Sequence, residues 1–477
     1  MTFIPSQLSR VSLPAFLVVC GSMLASPTDA GQVRSATTAQ VASGFGAPCV
    51  RGQYALGGYL LVCSDTNTFR YALPKDIPPA PPDGYVTRPP WYPKISEVYH
   101  SVNPPRCPLL GRVTFTSPIV RLEHLTITVP QGIMVGDHVT PIDHGYIGVK
   151  PLAKPPETHT EADYVPIYAP ADGEVIEISL LGIPTSIRVV IAHGCDTYSV
   201  FMVLNRLSGA LGHLQHDLLA TGHLSPFIRL LAGQEIGEQR DNPLDFAVQD
   251  GATWLTGFAA PFSYAEGEPG KPYTVDPWPY FAPDLDEAYQ ATLQRIVPPR
   301  WGRIDQDVRG TAAGNWFLDG TAGYSGRSIE TLRSATSPLT GGNVEGKNTY
   351  AWSHLAIARH SVQPTNWIFS IGWWKDERGD PGQWLIEVSA GQPEPSQLTP
   401  DSGVVVYPLR RVGTTVTQPP ESRAPMPINY DVVPWGVEGL VALQVNIDGT
   451  LTVEPRPGEQ DPERLTGFSG AKRTYRR

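Results

Sequence analysis

Long apolar runs are scarce in this sequence. Only Val11 to Ala25, behind Arg10, is apolar along most of its length, and no other segment approaches the roughly 18 apolar residues that a membrane-crossing helix needs. A transmembrane span is therefore not expected in the mature chain. Charged residues are also few, at 17%, and the formal net charge is -10. With no broad positive surface for a polyanion, nucleic acid is not an expected partner. What the chain has in quantity is turn-formers: 49 prolines and 46 glycines in 477 residues, which favour short strands joined by turns over long helices. At this length two or three domains are expected, and the fold class is mainly β.

The N-terminal apolar run is followed by Pro27 and the small or polar residues TDAGQ. This is the layout of a secretory signal, with Thr28 and Ala30 in the small positions before a cut at Gly31. Residues 1–30 are read as signal peptide, and the protein as secreted or periplasmic. A rival detail is LVVCG at Leu17–Gly21, a lipoprotein-like signal with Cys20 as the lipidated residue, from which the bulky Val19 departs. Removal of the signal leaves Cys49, Cys63, Cys107 and Cys195, an even set in an oxidising compartment. Cys49 and Cys63 bracket CVRGQYALGGYLLVC, which suits a hairpin, and are paired first. Cys107 with Cys195 follows by elimination.

Residues 31–108 comprise that small cystine-containing element and a proline-dense connector, Tyr71–Pro108, read as an extended linker or wrap rather than helix or central strand. From 109 to 260 the pattern is strand-like: RVTFTSPIVRLEHLTITV, YVPIYAPADGEVIEISLL, SIRVVIAHG and TYSVFMVLNRLSG are each ended by turn residues, with one short helix within HDLLATGHLSPFIRLLAGQEIG. Residues 261–299 form a second connector with a helix at DEAYQATLQRIV. Residues 300–456 form a second β-rich domain whose last element is a hairpin turning at Asp448 and Gly449. Residues 457–477 read as a polar tail, with Lys472, Arg473, Arg476 and Arg477 as a frayed basic end.

Chemistry concentrates in GDHVTPIDHGYIGV, Gly136–Val149, where two imidazoles and a carboxylate precede an apolar run. One reading is a metal site; the other is a polar turn in which Asp143 caps backbone amides and the histidines are partly buried. Downstream, PIYAPADGEVIEI at Pro166–Ile178 resembles the glycine-turned strand pair in the β core of the M23 or LytM-type metallopeptidases. IAHG at Ile191–Gly194, Phe201–Leu207, LAGQEIGE at Leu231–Glu238 and LDFAV at Leu244–Val248 follow in that family's order.

The resemblance covers residues 125 to 255 and implies an M23-like β-sandwich or barrel core, a duplicated hybrid motif. It also implies a zinc site built from a His and an Asp of one stretch plus the second His of a His-x-His. Three protein ligands leave one position for a water whose pKa the metal lowers to about 7. On this sequence the implied ligands are His138, Asp143, His144 and Asp245, with zinc as the cofactor. The departures are specific. Pro243 and Asp245 stand where the family has its His-x-His, and Asn205 stands for the histidine of its Tyr-x-His-Leu, so proton-transfer groups are missing. His193, His213, His216 and His223 are candidate substitutes, although GHLQHD suits a solvated face better. HVTPIDH also resembles a looser group of exported M23-like proteins with a His-x-x-Pro-x-Asp-His run.

The second β domain holds eight of the eleven tryptophans: Trp301, Trp316, Trp352, Trp367, Trp373, Trp374, Trp384 and Trp435. They form either a platform for sugar rings or a core with amphipathic indoles at its edges. Trp373 and Trp374, if in a strand, face opposite ways. Three functions follow: an exported, non-catalytic binding or scaffolding protein of the cell envelope; a divergent zinc-dependent hydrolase of cell-wall peptide; or a polysaccharide-binding protein acting through its C-terminal domain.

Overall fold

The computed structural model describes residues 52–53, 62–63, 84–89, 92–99, 113–153, 156–265, 267–328, 344, 346–414, 432–462, 465 and 467–477. The segment read as a signal peptide, Cys49 and Cys107 lie outside them. The ladder of β1 (Gly52–Gln53) with β2 (Val62–Cys63) is antiparallel, with Gly52 opposite Cys63. Cys195 is disulfide-bonded.

The proline-dense segment is not purely extended. It carries a short helix, α1 (Ile95–Tyr99), and buries Tyr92 and Ile95 completely. The helix starts beyond Pro93, where a missing backbone N–H costs nothing, so prolines that exclude a long helix permit a short one.

Alternating residues then produce β3 (Leu125–Val129), β4 (Gly145–Val149), β5 (Val165–Tyr168), β6 (Gly173–Leu180), β7 (Ile187–Ala192), β8 (Thr197–Leu204) and β9 (Arg206–Leu207). After α2 (Gln215–Thr221) come β10 (His223–Leu224), β11 (Ile228–Leu230), β12 (Glu235–Gln239), β13 (Leu244–Asp250) and β14 (Thr274–Val275). One nine-stranded sheet runs β10-β6-β7-β8-β13-β4-β3, with β11 beside β6 and β14 beside β13; β5, β12 and β9 form a three-stranded sheet. The strand pair expected around YAPADG is therefore not a pair, since β5 joins β12 while β6 joins β7. The turn between them carries the chain from one sheet to the other. Gly173 allows the close approach: a Cβ there would meet Ile191 Cγ2 at 2.6 Å and the Ala192 carbonyl at 2.8 Å.

The pleat of β13 sorts its residues between two environments. Leu244, Phe246 and Val248 join the cluster of Ile147, Ile167, Val175, Ile191, Phe201 and Ile236. Ala247 belongs to the opposite cluster, with Tyr92, Ile95, Val190, Tyr198 and Tyr273. Both proline-rich connectors thus contribute aromatic cover to the second face of the sheet. Trp301, expected in the later domain, packs with the first cluster and meets Trp278 edge-on at 5.0 Å.

Beyond α3 (Pro283–Thr292), which overlaps the expected helix but starts three residues before it and ends at Thr292 instead of Val297, eight strands close into a barrel in chain order. They are β15 (Gly314–Leu318), β16 (His354–Arg359), β17 (Trp367–Ile371), β18 (Gly382–Ile386), β19 (Val405–Thr414), β20 (Val432–Val445), β21 (Leu451–Pro457) and β22 (Arg473–Arg476). The β20–β21 hairpin turns at Gly449, φ +80°. The terminal residues are no tail: β22 pairs with both β21 and β15 and buries Tyr475, while Arg477 donates to the carbonyls of Ala313, Val308 and Thr311. Closure removes both sheet edges, and four residues with one inward apolar side chain are too short to show an alternation. Trp373 and Trp374 lie past the end of β17, not within it. Trp373 is buried and donates to Tyr475 Oη at 3.2 Å, and half-buried Trp374 lies against Trp384 at 4.1 Å.

The barrel is not a detached module. Met134 packs with Ala356, Ala358 and Ile368, and the Gln383 side-chain amide exchanges two hydrogen bonds with Gly136. Val33–Arg477 form one compact unit. Among the described residues no helix is long and apolar enough to cross a membrane.

Candidate functional site

His144 immediately precedes β4, and β13 pairs with β4 so that Asp245 stands opposite Tyr146. Directly opposed residues, and residues two apart along a strand, share a face. His144, Tyr146 and Asp245 therefore project together, and the His144 and Tyr146 rings meet edge-on at 5.5 Å. His144 Nδ1 lies 3.3 Å from Asp143 Oδ1, and its Nε2 lies 3.3 Å from Asp245 Oδ2. The imidazole is clasped between two carboxylates.

The preceding loop is closed by backbone bonds. Gly132 N–H donates to Ile142, and Val135 and His138 exchange a pair at 3.1 and 2.9 Å. This sets half-buried His138 with its ring 5.4 Å from that of His144 and its Nδ1 3.4 Å from Tyr350 Oη of the barrel. All four residues singled out in the sequence thus converge on one region, although through different contacts.

Two further residues come from the connector over this face, in GEPGKPY. Lys271 is wholly buried, its Nζ has no hydrogen-bond partner, and it lies 5.1 Å from the Tyr324 ring and 5.7 Å from that of Tyr264. Burial lowers its pKa against the pull of Asp143 and Glu268. Glu268 is pushed up to about 7, first by burial and then by the Asp143 carboxylate. No local pattern advertises either residue. Only the fold brings a Glu and a Lys from a proline-rich segment to the site.

Electrostatics separates the two histidines. Burial alone would lower the His144 imidazole, but Asp245 and Asp143 outweigh it and hold it at about 10. His138 is drawn down to about 3 by burial, with His144 and Lys271 adding to the effect. Burial would raise the Asp143 carboxyl, yet Lys271 and His144 keep it well below the ordinary carboxylate range. At neutral pH the site holds a charged His144 beside a neutral His138.

The other positions singled out in the sequence lie in different surroundings. Asn205 Oδ1 accepts the backbone N–H groups of Arg240 and Asp241 at 2.7 and 3.0 Å, and the Pro243 carbonyl accepts from Gln239. Buried His193 is bonded at both ring nitrogens, to Asp172 O and Ser199 Oγ. His213, His216 and His223 are exposed, as a solvated face requires.

Zinc is the cofactor that the M23 resemblance implies. Two donors set at about 2.0–2.2 Å on a tetrahedral ion are themselves about 3.3 Å apart, which matches His144 Nε2 and Asp245 Oδ2. That nitrogen is buried and lacks a hydrogen bond. Asp143 on Nδ1 then corresponds to the carboxylate that orients a ligating histidine. A third donor is not in place: His138 Nδ1 faces Tyr350, and among the described residues no group of three or more His, Cys, Asp or Glu side chains is arranged to hold a metal ion. The residues fit such an ion in part.

Comparison of the chain with family models, with curated proteins and with solved structures finds no match.

Proposed function

We propose that the chain is an exported cell-envelope protein whose M23-like β core works as a non-catalytic binding or scaffolding module. The observation that carries this reading is the clasp itself. Both nitrogens of His144 face carboxylates, so this imidazole is a held cation rather than an open ligand, and the places where the family moves protons hold an engaged asparagine and a proline. The M23 kinship rests on the order of motifs between residues 125 and 255. Placement in the secretory route rests on the N-terminal apolar segment.

A second reading, a divergent zinc-dependent hydrolase of wall peptide, draws on a different observation. His144 Nε2 has no hydrogen bond, and Lys271 and Glu268 stand by with displaced pKa values, as groups at functional sites often do. In that reading His144 and Asp245 hold the ion, joined by His138 or Asp143. Its chemistry would be attack by water on an amide.

Turnover separates the two. Purified chain incubated with cell-wall material, with and without added zinc, is expected to co-sediment with the wall and to release no new amino groups. Amine release that needs zinc and is lost in His144→Ala would establish the hydrolase instead.

A further inference from the structure

We propose that one mouth of the barrel is a binding site for a saccharide carrying a carboxylate. The ends of β15 and β17 and the starts of β16 and β22 meet there around a cavity of about 350 Å³, lined by Asp319, Lys347, Trp352, Trp373, Glu377 and Arg473 among others. Barrel mouths are common places for small-molecule sites, and an apolar wall with a few converging polar groups is their usual chemistry. The indoles are fixed: Trp352 donates to the Gly326 carbonyl at 3.0 Å and Trp373 to Tyr475 Oη at 3.2 Å. Their orientation therefore owes nothing to a ligand.

Lys347 Nζ lies 3.9 Å from the Trp352 ring centroid, and Arg473 lines the same cavity as Trp373. Arg473 Nη1 is buried without a hydrogen-bond partner. A buried donor left unpaired is unfavourable, so it marks where an acceptor belongs. A carboxylate satisfies it, and Lys347 stands at the same cavity. Glu377 offers an exposed acceptor for hydroxyl groups, while Asp319, paired with Arg476, and Glu377 together disfavour a more highly charged anion such as phosphate. The half-buried Trp352 provides apolar surface for a sugar's C–H face.

The inference rests on the barrel alone and stands apart from the chemistry at His144. Its test is calorimetric titration of the full chain with a uronic-acid oligosaccharide, the matching neutral oligosaccharide and inorganic phosphate. The acidic sugar is expected to bind at least tenfold more tightly than either of the others. Trp352→Ala and Lys347→Met should each weaken it tenfold or more with unchanged circular dichroism. Lys347, partly exposed, serves as the test should the tryptophan variant fail to fold. Equal binding of neutral and acidic sugars, phosphate binding as strong as the acidic sugar, no binding at all, or indifference to Lys347→Met would overturn the proposal.

Discussion

Asp245→Ala is expected to lower stability by about 3–5 kcal/mol, the usual cost of removing one partner from a buried ion pair. The side chains of His144 and Asp245 are only 7% and 11% exposed, so the variant leaves an imidazolium with one carboxylate in place of two. His144→Ala also removes the charge that offsets Asp143. The double variant should therefore cost less than the sum of the singles, with a coupling of about 1 kcal/mol or more. Urea unfolding of the four proteins at pH 7 measures this. A loss below about 0.5 kcal/mol in Asp245→Ala, or strict additivity, would show that the clasp contributes nothing to folding.

Acid should act through two histidines distant from this clasp in sequence. His193 is held at about 4 and His354 at about 3, in each case chiefly by burial. Both lie below the ordinary histidine value of about 6.5. As pH falls below that value, the unfolded chain takes up protons that the folded chain refuses. Stability from these groups is therefore present above about pH 6.5 and is lost as pH falls toward 3–4, by up to about 1.4 kcal/mol per unit from each. His354 bonds the Tyr324 carbonyl through Nε2 at 2.8 Å and packs against Tyr324, Tyr350 and Phe317, so His354→Phe keeps the ring packing without the titration. Denaturant midpoints from pH 7 to 4 should decline less steeply in that variant. An unchanged slope would remove His354 from the account.

The strands of both regions were legible because alternation over five or more residues, ended by Gly, Pro or Asp, leaves few alternatives to a half-buried strand. LDFAV is such a case: Leu244, Phe246 and Val248 enter one apolar cluster and Ala247 the other. The pairing of strands was not legible. β5 and β6 are consecutive and turn-linked, yet their hydrogen bonds go to different sheets, a choice made by the sheet-to-sheet core and not by the turn. β22 was invisible for a related reason, since its partners lie far back in the chain.

At the site, His138, Asp143, His144 and Asp245 were found because imidazoles and carboxylates stand out beside an apolar run. Lys271, Glu268 and Tyr350 were not. Lys271 and Glu268 sit among the prolines, glycines and aromatics typical of a connector, Tyr350 lies in a short turn before β16, and only packing brings them near. The same packing explains why the connectors themselves misled: buried Tyr92, Tyr273 and Trp278 make them cover for the core.

The state of His144 tests the central claim most directly. Nitrogen-resolved NMR of its ring, in metal-stripped protein and after one equivalent of zinc, should show both nitrogens protonated from pH 6 to 9, with a midpoint near 10 and no change on adding the metal. An Nε2 that carries no proton at pH 7, or that loses it and shifts when one zinc ion is added, would contradict the clasp and make the site a metal centre.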